Sequence, residues 1–114
     1  MFSDMQENNI KTVNISTYEE YVKVFDALSH PMRIKILGLL SKERQYVSEL
    51  ARMLNISRPL LYMHLKKLEL AGLVISHAEI SSDGKATKYY DCLNFEITVN
   101  PSLLSVLSET IKIE

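Results

Sequence analysis

The sequence contains a single cysteine, Cys92, and lacks any apolar run as long as the roughly 20 residues of a membrane-spanning helix. One cysteine excludes a framework of disulfides within the chain. The first residues have neither a basic start nor an apolar core, so they do not resemble a secretory signal. These absences predict a cytoplasmic protein that does not enter a membrane.

Combinations of residues that carry enzyme chemistry are missing as well. His30, His64 and His77 are scattered along the chain, and together with Cys92 they do not have the spacing of zinc ligands. The sequence offers no Gly-rich phosphate loop, no nucleophile–base pair and no carboxylate pair. We therefore expect no enzyme activity, no metal and no cofactor, and Cys92 is expected to pack as a small hydrophobic residue rather than act in redox chemistry.

The length of 114 residues leaves room for one domain. A chain of this size buries only about 60–65% of the surface that its unfolded form exposes, so a monomer would be marginally stable. This favours a dimer with apolar helices in the interface.

The charge is divided unevenly, although the net charge is only −1. Residues 30–90 hold ten Lys or Arg against five Asp or Glu, whereas residues 1–29 hold two against five and residues 91–114 hold one against four. Phosphate binding depends on charge within a Debye length, about 8–10 Å, rather than on the total. The basic middle is thus compatible with DNA binding, and equally with an ordinary solvated surface.

Two helices are predicted before residue 45. Residues 1–15 lack periodicity and are read as a flexible arm, ahead of a single domain over residues 16–114. Ser16 and Glu19 have the spacing of a capping box, which predicts the start of the first helix. Pro31 suits the first turn of a second helix that ends near Ser41. The apolar positions of these two helices are Tyr18, Tyr21, Val22, Phe25 and Leu28 in the first, and Ile36, Leu37 and Leu40 in the second.

A helix-turn-helix is predicted over residues 47–73. Its first helix spans about Val47 to Leu54, and Asn55 tolerates the left-handed conformation that ends a helix. Ser57 caps the second helix, which runs to Ala71. The inward positions are Leu50, Ala51 and Leu54 in the first helix, and Leu61, Leu65 and Leu68 in the second.

The periodicity changes after Gly72. Residues 73–80 and 85–93 are strand-like around a turn at residues 81–84, and Pro101 begins a last helix. This order predicts a mainly α fold with a small β-hairpin, a winged helix-turn-helix with the order α-α-α-α-β-β-α.

From Phe25 to Leu93 the chain resembles the ArsR-type (arsenical-repressor-like) winged-helix regulators. The resemblance rests on LSHPMRIKIL at residues 28–37, SELA at 48–51, HLKKL at 64–68 and AGLV at 71–74. It implies a dimer that binds double-stranded DNA, with the helix after Ser57 in the major groove and the hairpin around Asp83 on the backbone. It also implies that the terminal helices pair two subunits.

Specific side chains follow from these predictions. Those expected to contact DNA are Arg33, Ser57, Arg58, Pro59, Tyr62, Met63, His64, Lys66, Lys67, Lys85 and Lys88. Those expected in the dimer interface are Tyr18, Tyr21, Val22, Phe25, Leu103, Leu104, Leu107 and Ile111. Alternatives stay open for single residues: Arg58 can pair with guanine or with a phosphate, and His64 can be structural or contact a phosphate.

The sequence departs from the family at its sensor positions. Many members bind metals through cysteines in the third helix or through His and carboxylates in the last one. The third-helix positions are Tyr46 and Ser48, and neither His nor Cys follows Cys92. Tyr62 stands where the family commonly has a small hydroxyl residue. The expected protein is therefore a repressor without the usual metal ligands and with an unknown effector.

Two other functions are compatible with the same pattern. One is a winged helix that binds proteins and has lost its affinity for DNA, although the basic surplus of residues 30–90 argues against it. The other is a regulator of the MarR or PadR type, whose chains usually carry longer helices outside the winged core.

Overall fold

The computed structural model describes residues 14–113 of the chain. Within that range the helices are α1 (Tyr18–Leu28), α2 (Pro31–Lys42), α3 (Val47–Leu54), α4 (Arg58–Leu70) and α5 (Pro101–Ser108). The strands are β1 (Gln45–Tyr46), β2 (Val74–Ile80) and β3 (Ala86–Cys92), which form one antiparallel sheet in the order β1-β3-β2. This is the winged helix-turn-helix that the sequence predicts, with one additional strand.

Helix α1 begins one residue later than predicted. Thr17, not Ser16, is the N-cap, and Glu20 rather than Glu19 closes the capping box. The Glu20 carboxylate accepts hydrogen bonds from the backbone N–H of Thr17 at 3.0 Å and of Ser16 at 3.1 Å. These bonds to the ionised form lower the pKa of Glu20 to about 2.

The helix-turn-helix is built by local capping. Asn55 takes the left-handed conformation at φ 55° and ψ 47°, and so ends α3. Two residues later the Ser57 hydroxyl accepts a hydrogen bond from the N–H of Leu60, and so starts α4. Gly72, at φ 79°, reverses the chain after α4, and the N–H of Leu73 bonds to the carbonyl of Leu68 at 3.0 Å.

The sheet contains a short strand that the sequence did not indicate. In the hairpin, β2 and β3 pair from Val74 with Cys92 to Ile80 with Ala86. On the other edge of β3, Gln45 pairs with Tyr90 and Tyr46 with Tyr89. A strand of two residues has no periodicity to detect, because it exists only through pairing with a partner more than forty positions away.

One apolar core joins the first four helices to the base of the hairpin. Its members come from α1, α2, α3, α4, the turn after α4 and the strands: Val24, Ala27, Ile36, Leu37, Leu40, Val47, Leu50, Ala51, Leu61, Leu65, Leu68, Leu73, Val74 and Tyr90. The predicted inward residues of α2, α3 and α4 are all buried or packed against this core. In α1 the buried residues are Val24 and Ala27, which are not among its predicted apolar positions, and Leu28 of the predicted stripe packs against this core.

The two ends of the domain differ from the prediction in detail. Helix α5 begins at Pro101 as predicted but ends at Ser108, so Ile111 lies beyond it. Residues 1–13 of the predicted arm lie outside the described residues, whereas Ile15 packs against the core. None of the helices between residues 14 and 113 is long and apolar enough to cross a membrane.

Candidate DNA-binding surface

Helix α4 has a buried face and an exposed face. Leu61, His64, Leu65 and Leu68 are buried at the spacing of one helical stripe. The outer face of α4, on the opposite side, consists of Pro59, Tyr62, Met63 and Lys66, all of them exposed. The core therefore holds α4 by one side and leaves its first three turns open to solvent on the other.

The wing, formed by β2, β3 and the turn between them (residues 74–92), flanks one edge of α4. An open cleft of about 610 Å³ separates the two elements, and Arg58, Tyr62 and Lys88 line it. The Lys88 ammonium lies 5.7 Å from the centroid of the Tyr62 ring and 5.5 Å from that of Tyr90. Positive charge from the wing and from α4 therefore meets across this cleft.

The tip of the wing is a stabilised turn. Gly84 adopts φ 85°, a conformation that favours glycine. The Asp83 carboxylate accepts hydrogen bonds from the Ser81 hydroxyl and from the N–H of Lys85. The bond from Ser81 is the main reason why the pKa of Asp83 is lowered. This turn leaves the side chain of Lys85 exposed at the end of the hairpin.

The cleft also contains a carboxylate. Glu79 lies on β2 and accepts a hydrogen bond from the hydroxyl of Tyr46, at the start of α3. This bond raises the pKa of Tyr46, because loss of the phenol proton would remove the donor. The Tyr46–Glu79 pair thus connects the wing to the helix-turn-helix.

Arg33 and His64 were expected to contact DNA but are buried, each with only 8% of its surface exposed. The Arg33 guanidinium donates to the carbonyls of Ala27 at 2.7 Å and Asp26 at 3.0 Å, and to Nδ1 of His64 at 3.3 Å. The His64 ring lies 4.7 Å from that of His30. Burial, with smaller contributions from His30 and Arg33, lowers the pKa of His64. Because these contacts join α1, α2 and α4, we do not include Arg33 and His64 among the proposed DNA contacts.

Lys67 lies at the opposite edge of α4, next to α1. Its ammonium is 3.0 Å from the carboxylate of Asp26. This contact lowers the pKa of Asp26, first through the hydrogen bond and then through the charge of Lys67. Both side chains are more than half exposed, so the pair contributes little to stability but partly neutralises Lys67.

Sequence reasoning missed an aromatic and cationic cluster on the outer side of the sheet. Arg44 lies 4.3 Å from the centroid of the Tyr89 ring, His77 stacks on the same ring at 5.0 Å, and Tyr46 approaches it edge-on at 5.5 Å. His77 is also 3.6 Å from Asp91. The alternation of residues along each strand could have placed His77 and Tyr89 outward, but the register that brings them together is not readable from sequence.

The residues expected in a dimer interface lie on α1 and around α5. Val22, Leu104 and Ile111 are exposed, and Leu107 is buried. The remaining four are half-buried: Tyr18, Tyr21, Phe25 and Leu103. A second cleft of about 320 Å³ runs between the start of α1 and α5 and is lined by Tyr18, Val106 and Leu107. Val106 of α5 is exposed too, but it is not among the residues predicted for the interface.

Among residues 14–113, no three His, Cys, Asp or Glu side chains come together as a metal site. Cys92 is half-buried on β3, next to the core. Burial raises the pKa of the Cys92 thiol, and the charge of Asp91 raises it further.

Comparison with known proteins places this architecture in a family. Residues 30–76, which include the helix-turn-helix, match the model of the bacterial regulatory proteins of the arsR family. An uncharacterized HTH-type transcriptional regulator of Methanocaldococcus jannaschii is 38% identical over 90 residues, which are 79% of this chain and 94% of that protein.

Solved structures show the same fold. An ArsR-like transcriptional regulator from Rhodococcus sp. RHA1 has a TM-score of 0.57 and 31% identity, over 86% of this chain and 79% of its own. The homodimeric winged helix-turn-helix DNA-binding domain of a possible ArsR-family regulator from Mycobacterium bovis has a TM-score of 0.56 and 20% identity, over 81% and 75% of the two chains. The resemblance seen in the sequence is thus confirmed, and the chain belongs to the arsR family of bacterial regulatory proteins.

Proposed function

We propose that this protein is a homodimeric repressor that binds specific DNA sequences, with the start of α4 in the major groove and the wing on the backbone. The observation that carries the proposal is the division of α4 into a buried face and an exposed outer face. A helix of this kind is held rigidly by its core side while its free side fits the groove.

The charges around α4 support this orientation. Arg58 and Lys66 are exposed on α4, and Lys85 and Lys88 are exposed on the wing. The N-terminus of α4 adds the positive end of the helix dipole. Phosphates on the two sides of a groove would therefore meet positive charge from both elements.

The apolar surface of α1 and α5 supports a dimer. These helices carry exposed and half-buried apolar side chains, and a second copy of the chain would cover them. The related Mycobacterium bovis domain is homodimeric. A dimer would present two α4 helices to half-sites about 34–36 Å apart, one turn of DNA. By occupying such a site, the protein would block access to a promoter.

The proposal includes no metal sensor. Tyr46 and Ser48 occupy the third-helix positions that cysteines take in metal-sensing relatives, and the Tyr46 hydroxyl is already bonded to Glu79. Neutral hydroxyl oxygens are poor ligands for the soft metals that thiolates bind.

Selection of bound sequences from random DNA, followed by affinity measurements at two salt concentrations, tests the proposal. We expect a pseudo-palindromic site and an affinity that falls steeply as salt rises. Arg58→Ala should weaken binding by about 5- to 150-fold, as expected for one bidentate contact. Lys35→Ala is the control, because Lys35 is an exposed cation on α2. A folded, dimeric Arg58→Ala protein that binds as tightly as the wild type would overturn the assignment of α4.

A further inference from the structure

The part of α4 that is proposed to enter the groove is largely apolar. Met63 has 67% of its surface exposed, and Pro59, four residues earlier, lies on the same side of the helix. Tyr62 is exposed next to them. Among residues 57–65, Arg58 is the one Lys or Arg, and Asn, Gln, Asp and Glu are absent. In its first two turns the outer face of α4 therefore offers mainly carbon and sulfur atoms, and the Tyr62 hydroxyl is the one hydrogen-bonding side-chain group on it.

Arg58 lies at an edge of this face rather than at its centre. It lines the cleft between α4 and the wing together with Tyr62 and Lys88. At 100° per residue, Met63 and Pro59 are the residues opposite the buried stripe, and Lys66 follows one turn later. The centre of the exposed face is thus apolar, and the charges stand around it.

The major groove contains one apolar feature, the C5-methyl group of thymine. A thioether that packs on this methyl group removes apolar surface of both molecules from water. The same side chain placed over the amino group of cytosine or the O6 of guanine would cover a polar group without giving it a partner. An exposed methionine at this position therefore discriminates in favour of thymine and against G·C pairs.

We propose that Met63, supported by Pro59, determines sequence specificity by packing against a thymine methyl group, so that each half-site carries thymine beneath Met63. This inference rests on the proposed function and adds the chemistry of the base that is recognised. It assigns the reading of this base to an apolar contact and leaves the lysines of α4 and the wing to hold the backbone.

Deoxyuridine tests the inference, because it differs from thymidine only by the absent methyl group. Each thymidine of a selected operator is replaced in turn, and binding to the full-length protein is measured. One replacement in each half-site should weaken wild-type binding by about fourfold, the ratio that corresponds to burial of one methyl-sized group. Met63→Ala should bind more weakly and lose the difference between thymidine and deoxyuridine at that position. Met63→Leu should retain it.

Two control variants distinguish this role of Met63 from a general loss of affinity for DNA. Lys66→Ala should lower affinity and the salt dependence while the deoxyuridine effect persists. Leu70→Ala should leave the affinity and the deoxyuridine effect unchanged. Leu70 is 66% exposed on the same helix, but it lies about 10 Å further along the axis than Met63.

The outcomes are distinguishable. The inference is wrong if binding stays tight and salt-dependent but no deoxyuridine replacement weakens it. It is also wrong if Met63→Ala keeps the full difference between thymidine and deoxyuridine. In both cases the proposed function stands. If the selected sites have G·C pairs at the Met63-dependent position, the inference is likewise overturned. If the wild-type protein retains no duplex at all, the proposed function fails and the inference fails with it.

Discussion

At the scale of single residues, Arg33 shows how one buried polar side chain can connect three helices. Arg33 lies on α2. Its buried guanidinium donates hydrogen bonds to two carbonyls at the end of α1 and to the His64 ring on α4. The sequence places Arg33 and His64 in separate motifs, each between apolar neighbours, and both are among the residues expected at the DNA. Only the packing of α1, α2 and α4 shows that they partner each other.

Arg33→Met is expected to destabilise the protein by about 2–4 kcal/mol, because it leaves buried carbonyls and a buried imidazole without their donor. Urea-induced unfolding monitored by circular dichroism measures the change. Arg52→Met is the control, since Arg52 forms an exposed pair with Glu49 one turn away on α3, and it should change the free energy of unfolding little. Equal effects of the two substitutions would contradict the role given to Arg33.

The protonation of His64 should make stability depend on pH. Its Nδ1 accepts a hydrogen bond from Arg33, which requires the neutral ring, and burial lowers its pKa. The folded protein therefore binds this proton less readily than the unfolded chain, in which the pKa is about 6.5. The stabilisation that the neutral His64 ring provides is therefore present in full above the pKa of the unfolded chain, and it is lost as the pH falls below that pKa.

We expect the free energy of unfolding of the wild type to fall between pH 7.5 and pH 5.5 by more than that of His64→Gln. Glutamine can accept the same hydrogen bond but does not titrate. An identical pH dependence in wild type and His64→Gln would exclude the imidazole as its source.

At the scale of secondary-structure elements, the sequence predicts those boundaries that capping and turn residues determine. It does not predict structure that depends on pairing with a distant strand. The bounds of α3 and the Asn55 turn follow from the residues themselves, as do the Ser57 cap and the end of α4 before Gly72. Strand β1 was missed because its two residues gain their structure from β3. The predicted capping box of α1 lies one residue early because SxxE and TxxE patterns overlap at residues 16–20, and the structure uses the second of them.

The candidate site, too, is predictable where it depends on periodicity within one helix and not where it depends on packing between elements. Helical periodicity correctly separates the inward leucines of α4 from its outer face. It does not show that Lys88 lies across a cleft from Tyr62, that Glu79 lines the same cleft, or that Lys67 turns toward α1. Those relations depend on how the wing and α1 pack against α4.

The wing is expected to contribute to affinity but not to sequence preference. Lys85→Ala and Lys88→Ala should each weaken binding to all sequences by similar factors and reduce the slope of log affinity against log salt concentration by about 1. Fluorescence anisotropy on the operator and on a scrambled duplex measures both quantities. A change of preference between the two duplexes would show that the wing reads bases.

At the scale of the whole molecule, the proposed DNA binding requires two copies of the chain. Val22 on α1 is 54% exposed, and Ile34 on α2 is 57% exposed, so they form a matched pair of β-branched surface residues. Val22→Glu should shift sedimentation from dimer to monomer and weaken operator binding, because a charge would be buried in the proposed interface. Ile34→Glu should leave the dimer and its affinity for the operator unchanged. A Val22→Glu protein that remains dimeric would remove α1 from the interface.

The central claim is that the outer face of α4 and the wing form the surface that meets DNA. Titration of the isotopically labelled protein with its selected operator, followed through backbone amide resonances, tests it most directly. We predict that the largest shifts fall within residues 57–66 and 81–88, while the exposed side of α2 around Ile34 and Lys35 stays unchanged. Saturating, specific binding whose shifts concentrate on α2 and leave residues 57–66 unchanged would contradict the account.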